Sequence, residues 1–93
     1  MSTAALWQVY KTEQDEAVKE KLIHEYLPLV KRAVSRIRPS LPPTVSEGDL
    51  VGYGLVGLLQ AIDRYDVSKG VLFETYGLRR INGAILDGLR VMG

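Results

Sequence analysis

Between Arg64 and Arg80 the chain interleaves aromatic and basic side chains around a turn: Arg64, Tyr65, Lys69, Phe73, Tyr76, Arg79 and Arg80. Those residue types can hold single-stranded nucleic acid. An aromatic face stacks on an unpaired base for about 1–3 kcal/mol, and cations alongside neutralise phosphates. The same aromatics also suit a core that leaves their hydroxyls at the surface. Phe73 is read in that way, while Tyr76, one turn from Arg79 and Arg80, stays open between the two roles.

A second anomaly lies upstream. Gly52, Gly54 and Gly57 fall within six residues of what must be a helix, and each interior glycine costs about 1 kcal/mol against alanine. Small residues would let another helix of the same domain come close, which suits Gly54 and Gly57. Alternatively the glycine face stays open for a partner, with Leu55 and Leu59 as exposed apolar contacts and Asp49 as a polar anchor at the rim. Spacing alone leaves both readings standing.

The remaining composition excludes more than it suggests. Ninety-three residues make a single domain, here read as 1–93, and 12 Lys+Arg against 11 Asp+Glu give a net charge of only +1. The charge is graded: three bases and five acids in residues 1–30, four and three in 31–63, five and three in 64–93. A polyanion would therefore meet the C-terminal half first. With no cysteine and one histidine, His24, there is no thiolate nucleophile, no His–nucleophile pair and no metal-ligand cluster. No catalytic residue, metal or cofactor is expected, and the chain is read as a non-enzyme. The longest apolar run is four residues, Ala4 to Trp7, so no membrane span is expected and a cytoplasmic setting is. His24 and the run Lys31, Arg32, Arg36, Arg38 read as solvated helix surface, the run also being able to lengthen a phosphate track. Trp7 reads as a packing residue.

These side chains are carried by helices. Thr3 is expected to cap a first helix, and Thr12 with Asp15 to start a second. Ala17, Leu22, Tyr26, Leu29, Ala33 and Ile37 form its apolar stripe, with a kink or restart near Pro28. Pro39, Pro42 and Pro43 place a loop over Arg38 to Val45. Ser46 caps the next helix, with Asp49 able to reach back. Leu50, Gly54, Leu58, Ile62 and Tyr65 give its buried face. Asp66 to Gly70 is a turn, with Gly70 suited to positive φ, and a last helix spans about Phe73 to Arg90. The fold class is all-α, a compact bundle of four to five helices.

Read in order, the motifs are recognisable. Leu22-Ile23, Tyr26-Leu27-Pro28-Leu29-Val30, Leu41-Pro42-Pro43, Asp49-Leu50, Gly54-Leu55-Val56-Gly57-Leu58, Ala61 to Asp66, Lys69-Gly70, Phe73 to Tyr76 and Arg80 to Arg90 together resemble bacterial RNA polymerase sigma factors. The Tyr-Leu-Pro-Leu-Val stretch and the C-terminal block look most like the motility and sporulation type, and the resemblance covers about residues 6–90. It implies the second conserved region of such a factor, with N-terminal helices over 1–38, a polymerase-docking helix over 46–65, and a turn and promoter helix over 66–90.

By position, the resemblance assigns Asp49, Gly52, Tyr53, Leu55, Val56 and Leu59 to docking on a coiled coil of the polymerase β′ subunit. It assigns Tyr65, Asp66, Lys69, Tyr76, Arg79, Arg80 and Gly83 to the promoter −10 element, whose non-template strand is held open. A flipped base would enter a pocket walled by Tyr65 and Tyr76. An anti-sigma factor is a further partner of this class. The chain departs from the pattern at several positions. Gly52-Tyr53 replaces a polar pair. Arg79-Arg80 stands where housekeeping factors carry an aromatic melting wedge. Asn82 and Gly88 stand where the motility type usually has Arg and Glu. The family's chain continues into further domains, so a sequence stopping at Gly93 is expected to lack the C-terminal ones. The rival reading is a helical module that docks a protein partner and never touches DNA.

Overall fold

The computed structural model describes residues 2–92; Met1 and Gly93, the ends of the expected 1–93 domain, lie outside the described residues. Its four helices are α1 (Thr3–Glu13), α2 (Glu16–Ile37), α3 (Glu47–Arg64) and α4 (Phe73–Met92). Short 3₁₀ turns at Arg38–Ser40 and Val67–Lys69 follow α2 and α3. Among the described residues there is no strand. The all-α expectation is met. The molecule measures 42 × 25 × 20 Å, elongated because α2 alone, with 22 residues, is about 33 Å long.

Two helix starts differ from expectation. The cap of α1 is Ser2, whose hydroxyl accepts from the Ala5 N–H, while Thr3 lies inside the helix and donates to Glu25 Oε1 at 3.1 Å. The cap of α2 is Asp15, whose carboxylate accepts from the Ala17 N–H at 2.8 Å. Thr12 belongs to α1 and donates back to the Gln8 carbonyl. Both shifts follow from competition between neighbouring capping side chains, settled by where α1 must dock. Helix α2 then continues through Pro28 without restarting. The ring's missing N–H leaves the His24 carbonyl without its ladder donor, on a residue that is exposed to solvent. The buried stripe of α2 begins at Val18; Ala17 is exposed.

Leu22, Val30 and Val34 of α2, Leu50, Leu58 and Ile62 of α3, and Ile81 and Ile85 of α4 form the fully buried centre. An aromatic annex extends it toward α1. Trp7 is buried there, and its ring nitrogen donates to the Tyr26 hydroxyl at 3.0 Å. Phe73, read as core from the sequence, lies 4.3 Å from the Tyr26 ring and 5.0 Å from Trp7. Gly70 closes the turn before α4 at φ 72°, a conformation glycine adopts without the clash of a Cβ.

Candidate functional site

Ser46 accepts from the Asp49 N–H at 3.0 Å and starts α3. One face of that helix, Leu50, Gly54, Gly57, Leu58, Ala61 and Ile62, is consumed by the core. On the opposite side Asp49, Gly52, Val56 and Leu59 recur at steps of three and four and are all exposed. Val56 is 51% exposed and Leu59 37%, with Leu55 half-buried at the edge of the stripe.

The glycine anomaly divides between its two readings. A Cβ on Gly57 would lie 2.8 Å from Ala84 Cβ and 2.9 Å from both the Arg80 carbonyl oxygen and Ile81 Cα, and one on Gly54 would lie 2.8 Å from Val30 Cγ1. These two glycines admit α4 and α2 and present no open face. Of these three glycines only Gly52 meets nothing within 4 Å, so the exposed face is made by Gly52 with Val56 and Leu59.

Tyr53 does not join that stripe. It is half-buried, and its ring occupies the space a Cβ on Gly88 would need. Two departures noted separately in the sequence, Tyr53 on α3 and Gly88 on α4, are thus one packing arrangement.

Tyr65 caps the C-terminus of α3, and its hydroxyl donates to the Val71 carbonyl, tying the two ends of the turn together. Asp66 accepts from the Ser68 N–H at 2.9 Å and from the Ser68 hydroxyl at 2.6 Å. The Ser68 hydroxyl and N–H bonds hold its carboxyl below the usual range. Lys69 ends this turn, exposed. The Tyr65 and Tyr76 rings are 5.9 Å apart and inclined by 34°. A base sandwiched between them needs about 6.8 Å, two stacked layers of about 3.4 Å. Tyr65 also rests on Trp7 at 4.9 Å and meets Phe73 edge-on at 5.1 Å. In this structure the two rings pack beside each other at the rim of the core and leave no gap of that width between them.

On α4, Tyr76, Arg79 or Arg80, and Gly83 follow one another turn by turn. Arg79 and Gly83 are exposed, nothing lies within 4 Å of a Cβ on Gly83, and Arg80 leans to α3, where it donates to Gln60 Oε1 at 3.4 Å. Arg79, Arg80 and Gly83 line a groove of about 530 Å³ together with Tyr53 and Val56. Residues expected on two separate surfaces meet here. Tyr65 and Asp66 instead line a different groove, of about 810 Å³, with Trp7 and Lys11.

Two contributors had no signal in the sequence, since their partners are remote: Gln60 and Lys11. The Lys11 ammonium donates to the Ile62 and Asp63 carbonyls at 3.1 and 3.0 Å, satisfying the C-terminus of α3 and opposing its dipole. Desolvation lowers the Lys11 pKa, partly offset by Asp63 and Asp66. Beside it Asp63 accepts from the Tyr10 hydroxyl and pairs with Lys19 at 3.0 Å. Partial burial alone would raise the Asp63 pKa, but Tyr10 and Lys19 outweigh it and hold it low. Helix α1 is thereby fastened to the residue two before Tyr65.

Residues 22–91 match the family model described as Sigma-70 region 2. The chain belongs to the sigma-70 region 2 family. It is 41% identical over 85 residues to the RNA polymerase sigma-D factor of Bacillus subtilis, covering 91% of this chain and 34% of that protein. It is 42% identical over 90 residues to the RNA polymerase sigma factor FliA of Pseudomonas aeruginosa, covering 97% and 36%. With FliA of Salmonella typhimurium the figures are 46% over 72 residues, 77% and 30%. This region-2 chain thus spans about a third of the length of the curated relatives it matches. Helix α1 precedes the residues matched to the family model. No helix among the described residues is long and apolar enough to cross a membrane.

Proposed function

We propose that this region-2 chain binds core RNA polymerase through the outer stripe of α3 and holds open the promoter −10 element through the Tyr65–Gly70 turn and α4. The observation that carries the reading is the stripe itself. Gly52, Val56 and Leu59 form an exposed surface headed by Asp49, on a helix whose other face is fully used by the core. A β′ coiled coil offers the helical backbone and apolar side chains such a shallow stripe fits, and Asp49 would bond its polar rim. An anti-sigma factor would act by covering the same stripe. The relatives' names, all sigma factors, support the same reading.

On the DNA side, a non-template base leaves the duplex stack at a cost of a few kcal/mol and is met by the half-exposed ring of Tyr76 on its outward side. Lys69, Arg79 and Arg80 hold phosphates, which positions the strand without reading it. Gly83, open above its α-carbon, lets backbone or base approach α4 closely. The Tyr65 hydroxyl and Asp66 Oδ1 act through the turn's shape, since both are already engaged within it. The chain performs no covalent step; polymerase supplies the chemistry.

The test is a fluorescence-anisotropy titration of the labelled chain with bacterial core polymerase. Asp49→Ala and Leu59→Ala should each weaken saturable binding. Failure of the folded wild-type chain to bind at micromolar polymerase would overturn the docking assignment. Charge reversal at Arg79 and Arg80 should abolish promoter engagement while docking survives. Intact promoter engagement in that variant would overturn the role of these two arginines, and docking by the wild-type chain without promoter engagement would favour a module that binds protein alone.

A further inference from the structure

From Tyr26 to Ser46 the chain carries no acidic residue, yet it carries Lys31, Arg32, Arg36 and Arg38. The structure separates these four bases. Arg38 turns away to Glu47, pairing at 3.1 Å. Lys31, Arg32 and Arg36 are exposed, and none has a carboxylate within 4.0 Å among the described residues. Arg32 lies at the seam of α2 and α4, where it lines one groove of about 430 Å³ with Arg79, Thr75, Asn82, Leu78 and Glu74. Arg36 stands one turn farther along the same side of α2. Two guanidinium groups from different helices therefore share a groove with a single carboxylate, that of Glu74.

We infer that α2 is part of the DNA-binding surface, with Arg32 and Arg36 holding backbone phosphates on a track that begins at Arg79 of α4. This rests on the promoter reading proposed above and extends it from the turn and α4 to two particular arginines of α2. Unpaired cations gathered across a helix seam repel one another in the free protein, and a polyanion relieves that repulsion. Guanidinium groups fit the purpose because their planar fork meets two phosphate oxygens at once. Thr75 and Asn82 add neutral donors at the same groove. Contacts from Arg32 and Arg36 to backbone phosphates position DNA and do not select its sequence.

The experiment measures binding of a fluorescent forked −10 DNA to the chain assembled with core polymerase, over a series of salt concentrations. Four proteins are compared: wild type, Arg32→Ala/Arg36→Ala, Arg32→Lys/Arg36→Lys and Arg79→Ala. Two lost phosphate contacts should flatten the slope of log Kobs against log salt by about 1.8 on duplex or about 1.4 on single strand. Matched and scrambled −10 sequences should weaken alike, and the lysine pair should retain the wild-type slope. All three substituted positions are exposed, and circular dichroism with polymerase anisotropy verifies fold and docking. An unchanged slope in the alanine pair, with Arg79→Ala flattening it, overturns the α2 assignment alone. A loss confined to the matched sequence overturns the phosphate role. No effect from either alanine protein removes the promoter reading together with this extension.

Discussion

The ring of Tyr53 on α3 lies over the α-carbon of Gly88 on α4, in the space that any side chain at position 88 would take. The pair makes the identities of two residues 35 positions apart a single decision. Alanine at 88 gains about 1 kcal/mol of helix propensity but must displace the ring. Gly88→Ala should therefore stabilise the chain less than it does in a Tyr53→Ala background. Urea unfolding of the four proteins of that double-mutant cycle should give a coupling of about 0.5–3 kcal/mol; additivity would mean the ring moves freely.

Gly57 and Gly52, five residues apart on α3, should respond oppositely to alanine. At Gly57 the new methyl meets α4 backbone on two sides, so overpacking of about 1–3 kcal/mol exceeds the propensity gain of about 1 kcal/mol. At Gly52 there is open space, and alanine should stabilise by up to about 1 kcal/mol. Thermal unfolding distinguishes the two, and equal signs would contradict the packing.

The Asp63 cluster gives stability a defined pH dependence. The folded Asp63 carboxyl titrates below its ordinary value, so its contribution is complete above about pH 4 and is lost as pH falls through the lowered value. Lys19 and Tyr10 titrate above theirs. For Lys19, desolvation is outweighed by the bond to Asp63; for Tyr10, desolvation and Asp63 act together. Their contributions are complete below about pH 10 and are lost as pH rises beyond it. Lys11 runs the other way, since burial penalises its charged form. Asp63→Asn should flatten the acid limb of a stability–pH curve. Because the side chain is 49% exposed, the loss at pH 7 should be only about 0.5–1 kcal/mol.

Trp7, the single tryptophan, joins α1 to the turn through Tyr65 and Phe73. Trp7→Ala should cost about 3–5 kcal/mol. Trp7→Phe keeps most of the packing but removes the donor to Tyr26, at about 1–3 kcal/mol. Denaturant unfolding followed by circular dichroism checks both, and a cost below about 1 kcal/mol for alanine would mean α1 is not anchored there.

Much was legible in local pattern. The Ser46 cap, the Gly70 turn, the burial of Leu50, Gly54, Leu58 and Ile62 at four-residue steps, and the core role of Phe73 each follow from short-range spacing or from backbone geometry at one residue. Local pattern misled where two solutions lay within a few residues. Ser2 and Asp15 took caps expected of Thr3 and Thr12, and Val18 took the buried place expected of Ala17, because docking of α1 sets the register of both helices.

By itself the sequence determined the helical class, the places of the turns and the family, since periodicity, capping and motif order are properties of neighbours along the chain. Only the tertiary structure decided which glycine is open and which is filled. The same is true of whether Tyr65 and Tyr76 part for a base or pack together, and of which bases on α2 stand unpaired beside Arg79. Those outcomes depend on distances between helices. Such distances are set by the volume of side chains remote in sequence, as Gly57 against Ala84 and Tyr53 over Gly88 illustrate.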